Sequence, residues 1–257
     1  ILINISGGKD SEAMLHQLVT RYRNTHQIHL IWADTGWEYK DNADHWLSAL
    51  HWCEARAAYY GYPLNVVRNE HHDLPARIRA RKMFPSSRVR FCTSDYKRKP
   101  IQQFITKLRN PYVINALGIR AAESTNRAKY LPWEYYAKAS APLRATLTGK
   151  PRLVYTWYPI FYWSTPAVFA YLDQHSLPLH PAYQFLTRFS CQVYIICTAR
   201  DLSAIRIHNR EAFDEVAALE QEIGFTMHAG QSIVQMADAY DAGSMADADA
   251  PQQMCMW

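Results

Sequence analysis

The spacing of apolar residues near the start of the chain predicts a strand, a helix and a second strand. Residues 1–5 form an apolar run rich in β-branched side chains, and apolar residues then recur at helical spacing from about residue 11 to residue 22. A second apolar run covers residues 28–33. This order is typical of a βαβ unit, and it predicts a parallel sheet.

The same two periods continue along the chain, with strands and helices interleaved up to about residue 160 and helices alone afterwards. Residues 129–152 follow neither period but carry several aromatic side chains, so we expect a long loop or lid there. We divide the chain into residues 1–160 and a mainly helical part, residues 161–257. Further strands are predicted at residues 64–67, 113–117 and 155–160, and helices at residues 42–60, 73–82, 101–108, 198–209, 210–223 and 231–240, with another beginning at Thr165.

The turn between the first strand and the first helix is rich in glycine. Residues 6–11 read Ser-Gly-Gly-Lys-Asp-Ser, so bare backbone N–H groups stand at a helix start, where an anion is favoured. The stretch has neither the G-x-x-x-x-G-K-[ST] nor the G-x-G-x-x-G spacing. We interpret it as a phosphate-binding loop, and the alternative is a glycine-rich turn that binds nothing.

A second turn whose residues suit phosphate binding follows the strand at residues 113–117. The chain is expected to enter a helix there. Gly118 lets the backbone approach a ligand, and Arg120 and Arg127 follow it. A guanidinium group presents two parallel donors to a phosphate. We expect both arginines to clamp phosphate, and the alternative is that they are ion-pair partners of Glu123.

Charge is distributed unevenly along the chain. Residues 1–150 hold 23 Lys and Arg against 12 Asp and Glu, whereas residues 151–257 hold 5 against 11. Basic residues are densest at residues 77–99, which suits a nucleotide polyphosphate, a nucleic-acid backbone or merely a solvated face. Because no run reaches the roughly 18 apolar residues of a membrane helix, we expect a cytoplasmic protein with no membrane partner.

The five cysteines are odd in number and do not have the regular spacing of a secreted disulfide framework. We therefore expect reduced thiols or metal ligands. Cys53 lies on the apolar face of a predicted helix, where a thiol usually fills the core.

Seven stretches, in chain order, resemble the phosphoadenylyl-sulfate reductase-like branch of the PP-loop ATP-pyrophosphatase superfamily. The string Ser-Gly-Gly-x-Asp-Ser is similar to the loop with which that superfamily holds the pyrophosphate part of ATP. The matching stretches are residues 6–11, 33–38, 91–100, 118–127, 159–164, 177–183 and 188–191.

The resemblance implies a three-layer α/β/α Rossmann-like fold of the adenine nucleotide alpha hydrolase kind, with a mostly parallel sheet and a helical C-terminal extension. Residues 1–160 would be the PP-loop ATP-binding domain, and ATP with Mg²⁺ would occupy it. The residues expected to act in catalysis are Lys9, Asp10, Arg120 and Arg127, and those expected to bind the nucleotide are Ser6, Gly7, Gly8, Ser11, Asp34, Thr35, Lys97 and Gly118.

Two of these roles have alternatives. Asp10 would either hold Mg²⁺ or cap the first helix, and Asp34 would either meet the nucleoside or serve as a turn or helix-cap residue.

Many relatives carry a Cys-x-x-Cys pair as part of an iron–sulfur site, and here Tyr194 stands at the second position. Cys92, Cys191 and Cys197 would supply three of the four thiolates that such a cluster needs. The alternative is that Cys191 and Cys197 are buried core thiols.

Two activities compete within this branch. True reductases use a cysteine in a Glu-Cys-Gly-x-His type of motif near the C-terminus, and Cys255 has no such neighbours. The chain looks closer to the ATP-pyrophosphatase subunit of DNA phosphorothioation systems, which uses ATP to activate an oxygen for replacement by sulfur. This resemblance implies DNA, a sulfur donor and modification-complex proteins as partners, and it allows a homo-oligomer. The alternatives are a phosphoadenylyl-sulfate reductase and a non-catalytic nucleotide-sensing subunit.

Overall fold

Six strands form one sheet with an almost entirely parallel arrangement. A computed structural model describes residues 1–41, 47–108, 110–141, 151–189 and 191–243. The order of strands across the sheet is β3-β2-β1-β4-β6-β5, and the edge strand β5 alone among those described pairs antiparallel. The strands are β1 (Leu2–Asn4), β2 (His29–Asp34), β3 (Leu64–Arg68), β4 (Tyr112–Ala116), β5 (Trp133–Tyr135) and β6 (Leu153–Trp157).

Helices cover both faces of this sheet. Successive residues of a strand face opposite sides, so Ile3 packs with Met14 and Phe213 in one apolar cluster, and Leu2 packs with Ile105 in another. The predicted α/β fold with layers on both faces is thereby confirmed. The helices are α1 (Lys9–Tyr22), α2 (Ala49–Tyr60), α3 (Leu74–Arg81), α4 (Phe91–Thr93), α5 (Lys99–Lys107), α6 (Thr165–Gln174), α7 (Ala199–His208), α8 (Arg210–Ile223) and α9 (Ile233–Asp241).

Side-chain caps set the start of several helices. The Ser48 hydroxyl accepts a hydrogen bond from the His51 amide, and α2 therefore begins at Ala49 and not at the predicted residue 42. Residues 42–46 lie outside the described residues, as do residues 142–150 of the predicted loop and residues 244–257 of the C-terminal part. Among the described helices, none has the length and apolarity that crossing a membrane would require.

Two sequence-based expectations for the middle of the chain were wrong. Residues 129–152 are not entirely a loop, because β5 pairs with β6 and places Trp133 opposite Trp157. Three residues are too few to show a strand period. The turn after Gly118 does not become a regular helix but forms two short 3₁₀ turns, Ala121–Glu123 and Arg127–Lys129. The Glu123 carboxylate closes them, since it accepts hydrogen bonds from the Arg120 amide and from the Arg127 guanidinium.

Candidate functional site

Within the described residues, a large cleft opens where β1, β4 and β6 end, and its volume is about 2290 Å³. The carboxyl ends of parallel strands meet at one edge of a sheet, which is where ligands of such sheets bind. The cleft brings together most of the residues that the sequence proposed for the site. Those lining it are Ser6, Gly8, Lys9, Asp10, Ser11, Lys97, Gly118, Arg120 and Arg127.

The glycine loop after β1 forms the inner end of this cleft. Gly7 has a φ of +77°, which favours glycine. The Ser11 hydroxyl holds the turn closed, because it donates to the Gly8 carbonyl at 3.0 Å and accepts from the Ser6 amide at 3.2 Å. Gly8 caps α1 without a side-chain hydrogen bond. The start of α1 therefore points backbone donors and the positive end of its dipole into the cleft.

Residues far along the chain cover this loop. The Tyr183 hydroxyl accepts a hydrogen bond from the Lys9 amide at 2.9 Å, and burial raises the pKa of Tyr183 above its ordinary value, so the hydroxyl stays neutral. A Cβ atom on Gly8 would lie 3.2 Å from the Phe189 carbonyl oxygen. The Phe189 ring stacks on His180 with 3.8 Å between centroids. Sequence reasoning gave these three residues no role, although residues 177–183 were one of the matching stretches.

Arg120 and Asp10 form a nearly buried ion pair beside the loop. Arg120 Nε donates to Asp10 Oδ1 at 2.7 Å, and the side chains are 3% and 19% exposed. Arg120 also donates to the Trp163 carbonyl oxygen. The second oxygen of Asp10 lies 3.1 Å from Lys9 Nζ. Asp10 thus fixes two cations at the mouth of the loop, which is how we expect a polyphosphate site to be preorganised.

Gly118 allows β4 to end directly against α1. A Cβ atom at this position would lie 3.2 Å from the Asp10 carbonyl oxygen and 3.4 Å from the Ser11 amide nitrogen. The glycine is therefore required by the close approach of two backbones, and this places Arg120 within reach of Asp10.

The residues around the loop do not fit a protein-built Mg²⁺ site. Both oxygens of Asp10 already bind cationic groups, and within the described residues no group of three or more His, Cys, Asp or Glu side chains could hold a metal ion. Mg²⁺ is often bound largely by substrate phosphates and water.

Arg127 and Lys97 also line the cleft. Arg127 forms an ion pair with Glu123, which is the alternative that the sequence left open. A contact between Arg127 and phosphate stays a prediction. Lys97 is half-buried. Burial opposes its charge, but attraction by Cys191, Glu38 and Cys92 outweighs burial and raises the pKa of Lys97. Lys97 therefore stays a cation at neutral pH.

Asp34 and Thr35 lie beside the cleft and bind their own neighbours. Asp34 accepts from the Gly36 amide at 2.9 Å and pairs with Arg68 at 3.2 Å, as a turn residue would. The Thr35 amide and hydroxyl both donate to the Glu38 carboxylate, at 2.9 and 2.7 Å. Within residues 33–38, Ala33 and Glu38 line the cleft, whereas Asp34 and Thr35 do not.

Two asparagines that sequence reasoning missed lie at the base of the cleft. Asn4 Nδ2 donates to Asn115 Oδ1 at 2.7 Å and to the Ala116 carbonyl oxygen at 2.8 Å. Asn4 Oδ1 is buried without a hydrogen-bond partner among the described residues. A buried acceptor of this kind is costly unless a ligand or water donates to it.

Among the described residues, the cysteines are not grouped as a cluster site would require. Cys53 is 1% exposed and packs in the core, as expected. Burial raises the pKa of Cys197 well above its ordinary value, and the Asp201 carboxylate adds to this effect, so its thiol stays protonated. Tyr194, at the position of the second cysteine of relatives, donates a hydrogen bond to Asp201. Given these neighbours, and no metal-binding group among the described residues, the donor set does not fit an iron–sulfur cluster built on Cys92, Cys191 and Cys197.

The fold and the glycine loop in its basic cleft define a nucleotide-utilising domain of the PP-loop kind. Residues 1–186 match the family model described as "Phosphoadenosine phosphosulfate reductase domain". The chain belongs to this family, and membership supports an enzyme in general without specifying its reaction.

Comparisons with individual proteins give more distant likenesses. An uncharacterized protein of Methanocaldococcus jannaschii is 24% identical over 214 residues, which cover 82% of this chain and 38% of that protein. FMN adenylyltransferase of Candida glabrata, solved with FAD and inorganic pyrophosphate, has a TM-score of 0.47 at 14% identity, covering 72% of this chain and 51% of that one. Phosphoadenylyl-sulfate reductase of Candida auris, solved with phosphate, has a TM-score of 0.43 at 15% identity, covering 71% and 76%. The chain spans well under half of the archaeal relative and about half of the adenylyltransferase.

Proposed function

We propose that this protein is an ATP pyrophosphatase that cleaves ATP between its α- and β-phosphates and thereby activates an oxygen of a nucleic-acid backbone, in DNA, for replacement by sulfur. The observation that carries this proposal is the inner end of the cleft. There the backbone donors of the glycine loop, Lys9 and the Asp10–Arg120 pair surround one space.

The proposed reaction assigns each of these groups a role. The oxygen of the nucleic-acid backbone attacks the α-phosphorus, the bond to the bridging oxygen breaks, and pyrophosphate leaves with the electron pair. In the absence of nucleic acid, water attacks and AMP is released. The loop amides and Lys9 stabilise the charge that develops on the leaving pyrophosphate, while Asp10 and Arg120 are positioning residues.

The test is to incubate the protein with Mg²⁺ and ATP labelled at the α-phosphate, and to separate AMP from ADP. We expect AMP and an equal amount of pyrophosphate. Lys9→Met should slow their release by about 100-fold, because the leaving group loses a charge partner. Lys107→Met is the matched control, since the Lys107 side chain is 76% exposed and outside the cleft. ADP as the product would contradict the proposal.

The family description favours a second candidate, reduction of phosphoadenylyl sulfate. Incubation with that compound and reduced thioredoxin distinguishes the two, because a reductase would release sulfite. We expect none from this protein. A non-catalytic nucleotide-sensing subunit would instead bind ATP and release no pyrophosphate with or without DNA.

A further inference from the structure

The cleft is larger than a nucleotide site requires. Its volume of about 2290 Å³ exceeds the roughly 300–1,000 Å³ of ordinary small-molecule pockets. The glycine loop supplies only part of the lining, so a second and larger reactant has room in the same cleft.

Another part of the lining carries aromatic and arginine side chains. We call it the outer wall, and all of its members line the cleft. Tyr130 and Tyr135 are 42% and 55% exposed. Tyr158 is buried behind Tyr130, with 6.0 Å between ring centroids, and it is backed in turn by Phe161. The outer wall consists of Arg98, Arg127, Tyr130, Tyr135 and Tyr158.

The two arginines of the outer wall lie near these rings. Burial raises the pKa of Tyr158 to about 12; Glu134 and Tyr130 add to this effect, and the charges of Arg98 and Arg127 oppose it. Both arginines line the same cleft as Tyr158. Arg127 is paired with Glu123, whereas the exposed Arg98 forms no ion pair within the described part of the chain. Glu134 is the acidic neighbour, and it accepts a hydrogen bond from the Leu131 amide.

We propose that the outer wall binds unpaired nucleotides, with bases stacked on Tyr130 and Tyr135 and phosphates held by Arg98. This inference rests on the proposed function, and it specifies the form of the nucleic acid that the enzyme accepts. Aromatic side chains beside arginines are how single strands are bound without sequence preference. Inside a duplex the base faces are covered by neighbouring bases, so rings within a cleft cannot reach them. The acceptor is then a single strand or a locally opened segment.

Binding of a fluorescent 12-mer of dT, a 12-mer of rU and a 12-base-pair duplex, measured by anisotropy without ATP, tests this inference. We expect the single strands to bind at least about tenfold more tightly than the duplex. The arms with dT and rU show whether DNA or RNA is the preferred single strand. Equal or tighter binding of the duplex would overturn the inference.

Variants show whether the outer wall is responsible. Tyr130→Ala and Tyr135→Ala should each weaken binding of single strands by about tenfold, since each removes a stacking surface, and Tyr130→Phe should retain it. Tyr112→Ala is the control, because Tyr112 is 74% exposed and lies outside the cleft. Single-strand affinity unchanged in both alanine variants would overturn the assignment to these residues.

Salt dependence tests the arginine separately. The affinity for single strands should fall less steeply with salt in Arg98→Gln than in the original protein. The slope of log affinity against log salt concentration should be smaller in magnitude by about 0.7, the value for one phosphate contact in a single strand. An unchanged slope would overturn the phosphate role of Arg98. Release of AMP from ATP is measured on the same samples. AMP release without single-strand binding would contradict the role of the outer wall and leave the proposed function standing. Single-strand binding with ADP as the product would contradict the proposed function and leave the role of the outer wall standing.

Discussion

The ends of β1 and β2 lie side by side at the same edge of the sheet, yet they are used differently. Each strand is followed by a glycine with positive φ, Gly7 at +77° and Gly36 at +73°. After β1 the chain presents backbone donors and Lys9 to the cleft. After β2 the polar groups of Asp34 and Thr35 bind Arg68 and Glu38.

The difference shows that a glycine turn at the end of a strand is not sufficient to form a phosphate-binding site. Gly36 is needed because Asp73 packs against it, since a Cβ atom there would lie 2.7 Å from Asp73 Cβ. Gly8 and Gly118 instead keep the loop close to Phe189 and to α1. The turn at Gly36 is shaped by the packing of a neighbouring loop, whereas Gly8 and Gly118 shape the cleft.

The largest expected effect is on the β1 side, in Asp10→Ala. The change leaves the Arg120 guanidinium, 3% exposed, without its carboxylate. We expect the free energy of unfolding to fall by about 3 kcal/mol, as for other broken buried ion pairs, and AMP release to fall by more than about 100-fold. Urea unfolding and the labelled-ATP assay measure the two effects. A variant with full activity would show that Asp10 does not organise the site.

Gly8→Ala should separate activity from stability. Its φ of −80° suits alanine, but the new methyl group would lie 3.2 Å from the Phe189 oxygen and 3.3 Å from the Tyr183 hydroxyl. We expect AMP release to fall by about 100-fold with a small change in melting temperature.

Gly61→Ala is the matched control for Gly8→Ala. Gly61 has a φ of +79°, and no atom lies within 4 Å of the position that an added methyl group would take. Alanine there should therefore cost about 1 kcal/mol of stability and leave AMP release unchanged. Similar activity in the two variants would mean that the loop does not hold phosphate.

Thr35→Val tests the β2 side, where we expect a loss of stability alone. The hydroxyl that donates to Glu38 at 2.7 Å is removed, and a buried carboxylate that loses a donor costs about 1–2 kcal/mol. AMP release from the folded variant should change by less than about threefold. A fall of about 100-fold in AMP release without a loss of stability would show that Thr35 belongs to the nucleotide site. Both strand ends would then contribute to that site.

The smallest expected effect concerns pH and the cover of the loop. Burial lowers the pKa of His180, and its hydrogen bond to the Leu47 carbonyl oxygen opposes this only in part. The unfolded chain therefore binds a proton at His180 more readily than the folded protein does, and stability falls as the pH drops below the ordinary value of about 6.5.

In His180→Gln the decline in unfolding free energy between about pH 7.5 and about pH 5.5 should be shallower than in the original protein. His16, His29 and His228 also have lowered pKa values, but they are present in both proteins and cancel in the comparison. Parallel pH profiles would show that His180 is not held neutral beneath the loop.

The sequence by itself determined the parts that depend on neighbouring residues. The apolar run of β1, the glycines after it and the start of α1 are contiguous, so their strand, turn and helix, and with them the α/β class, could be predicted from local patterns. That Gly118 and Arg120 follow a strand was likewise predicted from local patterns.

Only the tertiary structure decided how the site is completed. Arg120 meets Asp10 across 110 residues, and Tyr183 meets Lys9 across 174. A side chain with several possible partners takes the one that packing brings within hydrogen-bond distance, and no local period in the sequence encodes a distance between segments so far apart along the chain.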